Sequence, residues 1–147
     1  MSSAINDNSD TNKILNGFTN NILHSHTAIR WVGIIDANGI TIKEQYRKGL
    51  NLLLTEEETH EFAKNTITRY KTRLKLEPKM GKLTYLFRRY TKLSRCIIPI
   101  NDSYYLLLTM DFEENDFDKI IMEKVIPFIN KEKENFIIRE GAVNLRK

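Results

Sequence analysis

The chain has 147 residues, with 23 Lys and Arg against 19 Asp and Glu, a formal charge of +4 and a pI of about 9.1. Hydrophobic residues make up 41% and charged residues 29%, which excludes the low-hydrophobicity, high-charge composition of disordered chains and leaves enough apolar surface for one core. The lone cysteine, Cys96, excludes intrachain disulfides and multi-cysteine metal sites and fits a reducing compartment.

The opening residues lack a basic and apolar leader, and no run approaches the ~18 apolar residues of a spanning helix. The expectation is a single cytoplasmic domain without membrane insertion. Residues 1–10, rich in Ser, Asn and Asp, read as a flexible tail. The domain is expected over 11–138, followed by a C-terminal tail over 139–147.

From Asn12, the residues Ile14, Leu15, Phe18, Ile22 and Leu23 recur at helical spacing, predicting a helix from about Thr11 to His24. The run Ile29 to Ile35, the turn Asp36-Ala37-Asn38-Gly39 and the run Ile40 to Tyr46 predict a hairpin, with Asn38-Gly39 supplying positive φ. Thr55-Glu56-Glu57-Glu58 has the form of a capping box. It opens a helix that keeps its apolar spacing through Phe62, Ala63, Ile67 and Tyr70 to about Leu76, before Pro78 and Gly81 end it.

Three strands then follow, Leu83 to Tyr90, Ser94 to Ile100 and Tyr104 to Asp111, the last apolar on both faces at Tyr105-Leu106-Leu107-Leu108. Asn115 or Asp116 can cap a final helix, which Pro127 should kink before it resumes through Lys131 to Ile138. The predicted order is α-ββ-α-βββ-α, an α+β fold with a five-stranded antiparallel sheet and flanking helices.

Motifs for catalysis are missing: there is no phosphate-binding glycine loop, no nucleophile elbow and no His-Glu-x-x-His. His24, His26 and His60 do not have ligand spacing, so no metal is expected. Cys96 reads as core packing beside Ile98 and Ile100, despite the adjacent Arg95. The run Asp111, Glu113, Glu114, Asp116 and Asp118 lacks the turn glycine and the closing glutamate of a calcium loop. No catalytic residue and no cofactor is assigned.

A basic cluster extends from Arg69 to Arg95, relieved only by Glu77, with Tyr70, Tyr85, Phe87 and Tyr90 interleaved. Single-stranded nucleic acid is one reading of that pattern, and a surface for an acidic protein is another. Glu56, Glu57, Glu58 and Glu61 lie at the opposite end of the same helix, so two copies placed antiparallel would set acid against base.

The order of elements resembles the roadblock/LC7 domain of the profilin-like and longin-like superfold. Val32-Gly33-Ile34-Ile35-Asp36-Ala37-Asn38-Gly39 is similar to that family's first hairpin. Ile97-Ile98-Pro99-Ile100 and Tyr104 to Asp111 are similar to its last two strands. The resemblance covers about residues 11 to 135, and archaeal roadblock-like proteins carry a similar Lys-Leu-Ser-Arg strand and Lys-Val-Ile-Pro helix. It implies a non-enzymatic module that dimerises and serves as a platform or regulator for Ras-like GTPases or motor complexes.

Thr59, Phe62, Thr66 and Tyr70 are therefore the expected homodimer interface, and Arg69, Arg73, Lys75 and Arg88 the expected surface for an acidic partner such as a small GTPase. The alternatives are a PAS-, Cache- or GAF-like small-molecule sensor, which would place several short helices between the second and third strands, and a nucleic-acid-binding protein.

Overall fold

A computed structural model describes residues 2–111 and 113–134. Helix α1 (Ser2–Leu23) leads into strands β1 (Ile29–Asp36) and β2 (Thr41–Tyr46), then helix α2 (Glu56–Arg73). A 3-10 turn (Leu74–Leu76) and the short helix α3 (Glu77–Met80) precede strands β3 (Leu86–Arg89), β4 (Leu93–Pro99) and β5 (Tyr104–Asp111). Helix α4 (Phe117–Ile120) passes through a π turn (Ile121–Val125), and helical backbone continues over 126–134. The expected end of that helix beyond residue 134 and the tail at 139–147 lie outside the described residues.

All pairings are antiparallel and the strand order is β2-β1-β5-β4-β3, so β5 is central and β2 and β3 are edges. The α+β expectation is met. Because strand side chains alternate, the inner strands feed two cores. Val32, Ile34, Cys96, Ile98, Leu106, Leu108 and Met110 pack with α1 and the C-terminal helix. Trp31, Ile35, Ile97, Tyr105 and Leu107 pack with Ala63, Ile67 and Tyr70 of α2. Covering on both sides is why Leu106, Leu107 and Leu108 are all buried.

Several local predictions need correction. Residues 2–10, read as a tail, are helical, since extending a formed helix adds one hydrogen bond per residue fixed. In the hairpin only Gly39 takes positive φ, at 81°, and Asn38 does not. The connection spans residues 37–40, and Asp36 Oδ1 accepts from the amides of Asn38 and Ile40 at 2.9 and 3.0 Å, which holds the turn closed. Pro127 is preceded by the π turn Ile121–Val125, a distortion of the hydrogen-bond ladder next to a residue that cannot donate. Asp116 stands at the N-cap of α4 without a side-chain cap bond; its amide donates to Glu114 at 2.8 Å.

The capping box of α2 is formed as read, with Glu58 N donating to Thr55 Oγ1 at 3.0 Å and Thr55 N to Glu58 Oε1 at 2.9 Å. Arg47 closes the other helix junction. Its guanidinium donates to the carbonyls of Leu23, His26 and Ile29 at 2.5, 2.9 and 2.7 Å, satisfying acceptors left open where α1 ends.

Candidate functional site

A row of polar side chains with unusual surroundings lies beneath the N-terminal half of α2. Tyr46, Trp31, Thr109, Arg95 and Arg88 are successive register partners, one per strand across the sheet, and their shared parity turns them to the α2 face. Arg95 is the exceptional member. It is only 6% exposed, its guanidinium carbon sits 4.0 Å from the Phe62 ring centre and 5.9 Å from that of Trp31, and its Nη2 has no hydrogen-bond partner.

Burial lowers the Arg95 pKa to about 10, a shift that Tyr90 opposes and Arg88 reinforces. The group remains a cation at neutral pH. Two small cavities flank it. One, of about 40 Å³, is bounded by Arg95, Trp31, Tyr46, Thr59 and the leucines of the loop before α2. The other, of about 20 Å³, lies among Phe62, Thr66, Arg88 and Arg95.

Glu44 organises the neighbouring end of the sheet. Its Oε1 accepts from Tyr46 Oη at 2.5 Å and Trp31 Nε1 at 3.4 Å, while Oε2 meets His60 Nε2 of α2 at 2.6 Å. Burial alone pushes the Glu44 carboxyl up, but the hydrogen bonds from Tyr46, His60 and Trp31 and the charge of His60 outweigh it, so the net shift is downward. Trp31 reaches this position because Gly33 leaves room: a Cβ there would stand 2.4 Å from the indole.

The four residues expected at a dimer interface divide. Thr59 and Tyr70 are buried against the chain's own sheet, and Tyr70 meets Tyr105 edge-on with ring centres 5.3 Å apart. Phe62 and Thr66 are half-buried on the side of α2 nearest β3, where Phe62 contacts Tyr90. The expected basic surface divides as well. Arg69, Arg73 and Lys75 are exposed at the end of α2, whereas Arg88 is half-buried beside Arg95.

Arg95 itself leaves the solvated cluster in which the sequence placed it. The missed signal was parity: it shares a face with Ile97 on a strand covered on both sides.

Other candidates resolve into packing. Of the four aromatics interleaved with the basic cluster, Tyr70 is buried, Tyr85 bonds Asp118 and Phe87 stacks on Phe117, leaving Tyr90 exposed. This withdraws the stacking platform that a nucleic-acid reading needs. Cys96 is buried, and burial pushes its thiol pKa up, as its apolar neighbours require. Among the described residues, no three His, Cys, Asp or Glu come together as a metal site.

Asp111 pairs with Arg30 at 2.7 Å, and Glu114 lies 4.0 Å from His26. Between β2 and β3 stands one 18-residue helix, extended by the 3-10 turn and the four-residue α3, where the sensor alternative expects several short helices. A wider cleft of about 370 Å³ opens among Leu74, Asn101 and Met122. No helix among the described residues is long and apolar enough to cross a membrane.

No protein-family model matches the sequence, and no curated protein matches it significantly. Solved structures do. The gliding protein MglB from Thermus thermophilus superimposes with a TM-score of 0.62 at 11% identity, covering 83% of this chain and 84% of that one. Myxococcus xanthus MglB gives 0.65 at 14% identity, over 83% of this chain and 94% of that one. A roadblock/LC7 domain from Streptomyces avermitilis gives 0.65 at 6% identity, over 83% and 97%. At such identities the likeness concerns backbone architecture, and on that ground the chain has the roadblock/LC7-like fold.

Proposed function

We propose that this protein is a non-enzymatic, self-associating module that acts as a platform or regulator for a small GTPase. The observation that carries the reading is α2 lying on a roadblock-like sheet beside the edge strand β3, with Glu56, Glu57 and Glu58 in its first turn and Lys71 and Arg73 in its last. Two such helices placed antiparallel set acid against base at both ends.

Phe62 and Thr66 supply the apolar contact in this arrangement, with Arg69 and Arg73 meeting the partner's acids. Strand-to-strand pairing is less favourable, because Arg88 and Arg89 on β3 would face their own copies. A solved relative in fold, MglB, has been seen in a tetrameric arrangement, which supports self-association as a use of this fold. Association with a small GTPase follows from the roadblock/LC7 resemblance and from the exposed cations at the end of α2.

Sedimentation of the purified chain should give about twice its 17.3 kDa mass, and reversing Arg69 and Arg73 to Glu should return it to one. Cell-extract proteins retained by the wild-type chain should include one whose retention changes with added guanine nucleotide and survives nuclease treatment. A clean monomer at high micromolar concentration overturns self-association. Retention of RNA or DNA alone would replace the GTPase reading with the nucleic-acid one.

A further inference from the structure

Among the described residues, Arg95 is a charge without a counter-charge. A guanidinium this deeply placed is normally paired, because burial removes hydration that Coulomb attraction or hydrogen bonds must replace. The Phe62 and Trp31 rings recover part of the loss through their π faces. They do not accept in-plane N–H bonds, and Nη2 lacks an acceptor. Arg88, the register partner of Arg95 on β3, adds a like charge.

Arg30 borders the same cavity but is committed to Asp111 and, through Nη2, to the Asn51 carbonyl. What the cavity lacks is one negative charge presented to Arg95.

The lining defines the rest of the ligand. Beside Arg95 stand Thr59 and Thr109 as small polar groups, while Trp31 and the loop leucines make the remaining wall apolar. Leu52 and Leu53, at the outer rim, are 56% and 49% exposed. A volume of about 40 Å³ admits a carboxylate head or one or two waters and excludes a nucleotide or sugar phosphate.

We infer that this cavity binds a small monocarboxylate, its charge paired with the Arg95 guanidinium and its short apolar tail lying against the leucine rim. The site adjoins the self-association surface proposed above, since Phe62 stacks on Arg95, but its test reads occupancy of the cavity rather than association. A carboxylate supplies the single negative charge, and enclosure by Trp31 and leucine side chains favours an acid with a tail over a bare inorganic anion.

Trp31 is the only tryptophan and borders the cavity, so its fluorescence reports occupancy. The full chain is titrated with acetate, butanoate and hexanoate and with the amides of the same length, ionic strength being held with sodium chloride. The expected result is a saturable change that tightens with tail length, with each amide weaker by at least about tenfold for want of the charge-assisted bond. Arg95→Met should erase the preference for acid over amide.

Absence of saturation, equal response to acid and amide, equal displacement by chloride, or a preference that survives Arg95→Met would each overturn the assignment. If Arg95→Met does not fold, the comparison of acid, amide and chloride on the wild-type chain still decides the matter.

Discussion

Replacing Glu44 by Gln tests whether the polar cluster fastens α2 to the hairpin. In the wild-type chain one carboxylate receives Tyr46, Trp31 and His60, two of them at 2.5 and 2.6 Å. Hydrogen bonds to a charged acceptor are worth roughly 1.5–3 kcal/mol each, but Gln retains one acceptor oxygen, and His60, at 39% side-chain exposure, can turn to water. The expected loss at pH 7 is therefore about 1–2 kcal/mol, or roughly 3–6 °C in Tm for a chain of this size.

The pH dependence gives the sharper test. Because the folded-state pKa of Glu44 lies below its ordinary value of 4.5, its extra stabilisation is complete above the unfolded pKa and is lost as pH falls through the folded one. Glutamine does not titrate. The gap between wild type and variant in urea-melt free energy should be full at pH 7 and close as the pH drops below about 4.5. A gap that is absent at pH 7, or unchanged at pH 3.5, would refute the reasoning.

Gly39→Ala should cost about 2–4 kcal/mol, since it combines positive φ with a would-be Cβ 2.6 Å from Lys64 Cα, and a chemical melt showing a loss below 1 kcal/mol would contradict this. Thr55→Ala removes one half of the α2 capping box and should destabilise by about 1 kcal/mol, read from the same melts, while Thr55→Ser should recover most of it. Cys96 should react with a thiol reagent at neutral pH only after denaturant is added, because it is buried and burial raises its pKa; stoichiometric labelling of the native chain within minutes would exclude that packing.

The sequence revealed the architecture where two independent signals agreed. Helical spacing plus the Thr55 box located α2, and the doubly apolar run at Leu106-Leu107-Leu108 identified a strand covered on both sides. Single signals were less dependable. Asn38-Gly39 named the turn, but the Asp36 side chain set its length and only Gly39 needed positive φ.

The candidate site was largely illegible because it depends on which sheet face each helix covers. Thr59 and Tyr70 belong to a stripe whether that stripe meets a second chain or the chain's own sheet, and here they meet the sheet. Arg95 looked like one more surface cation, and only the pairing of β4 between β3 and β5 turns its parity into burial. Arg47 was similarly hidden: its carbonyl partners Leu23, His26 and Ile29 lie far back in the chain.

The two faces of the sheet should also differ in how firmly they hold their helices. The face against α1 and the C-terminal helix is continuous hydrocarbon from Leu15 and Phe18 to Ile121 and Ile129. Between α2 and the sheet the smaller apolar cluster is interrupted by Thr59, Thr109 and the unpaired Arg95, and two cavities break the packing. Buried polar groups without full partners weaken a contact relative to hydrocarbon, so α2 should open at a lower free energy than the β1, β5 and β4 centre.

Hydrogen exchange measures that order directly. Amides of Ala63 to Tyr70 should exchange well before those of Ile34 and Leu106 to Leu108, and equal protection of the two groups would contradict the argument. A ligand that pairs with Arg95 removes the unsatisfied charge only while α2 is seated, so by linkage it must slow exchange along the helix, and any partner that prefers seated α2 must tighten that ligand in return.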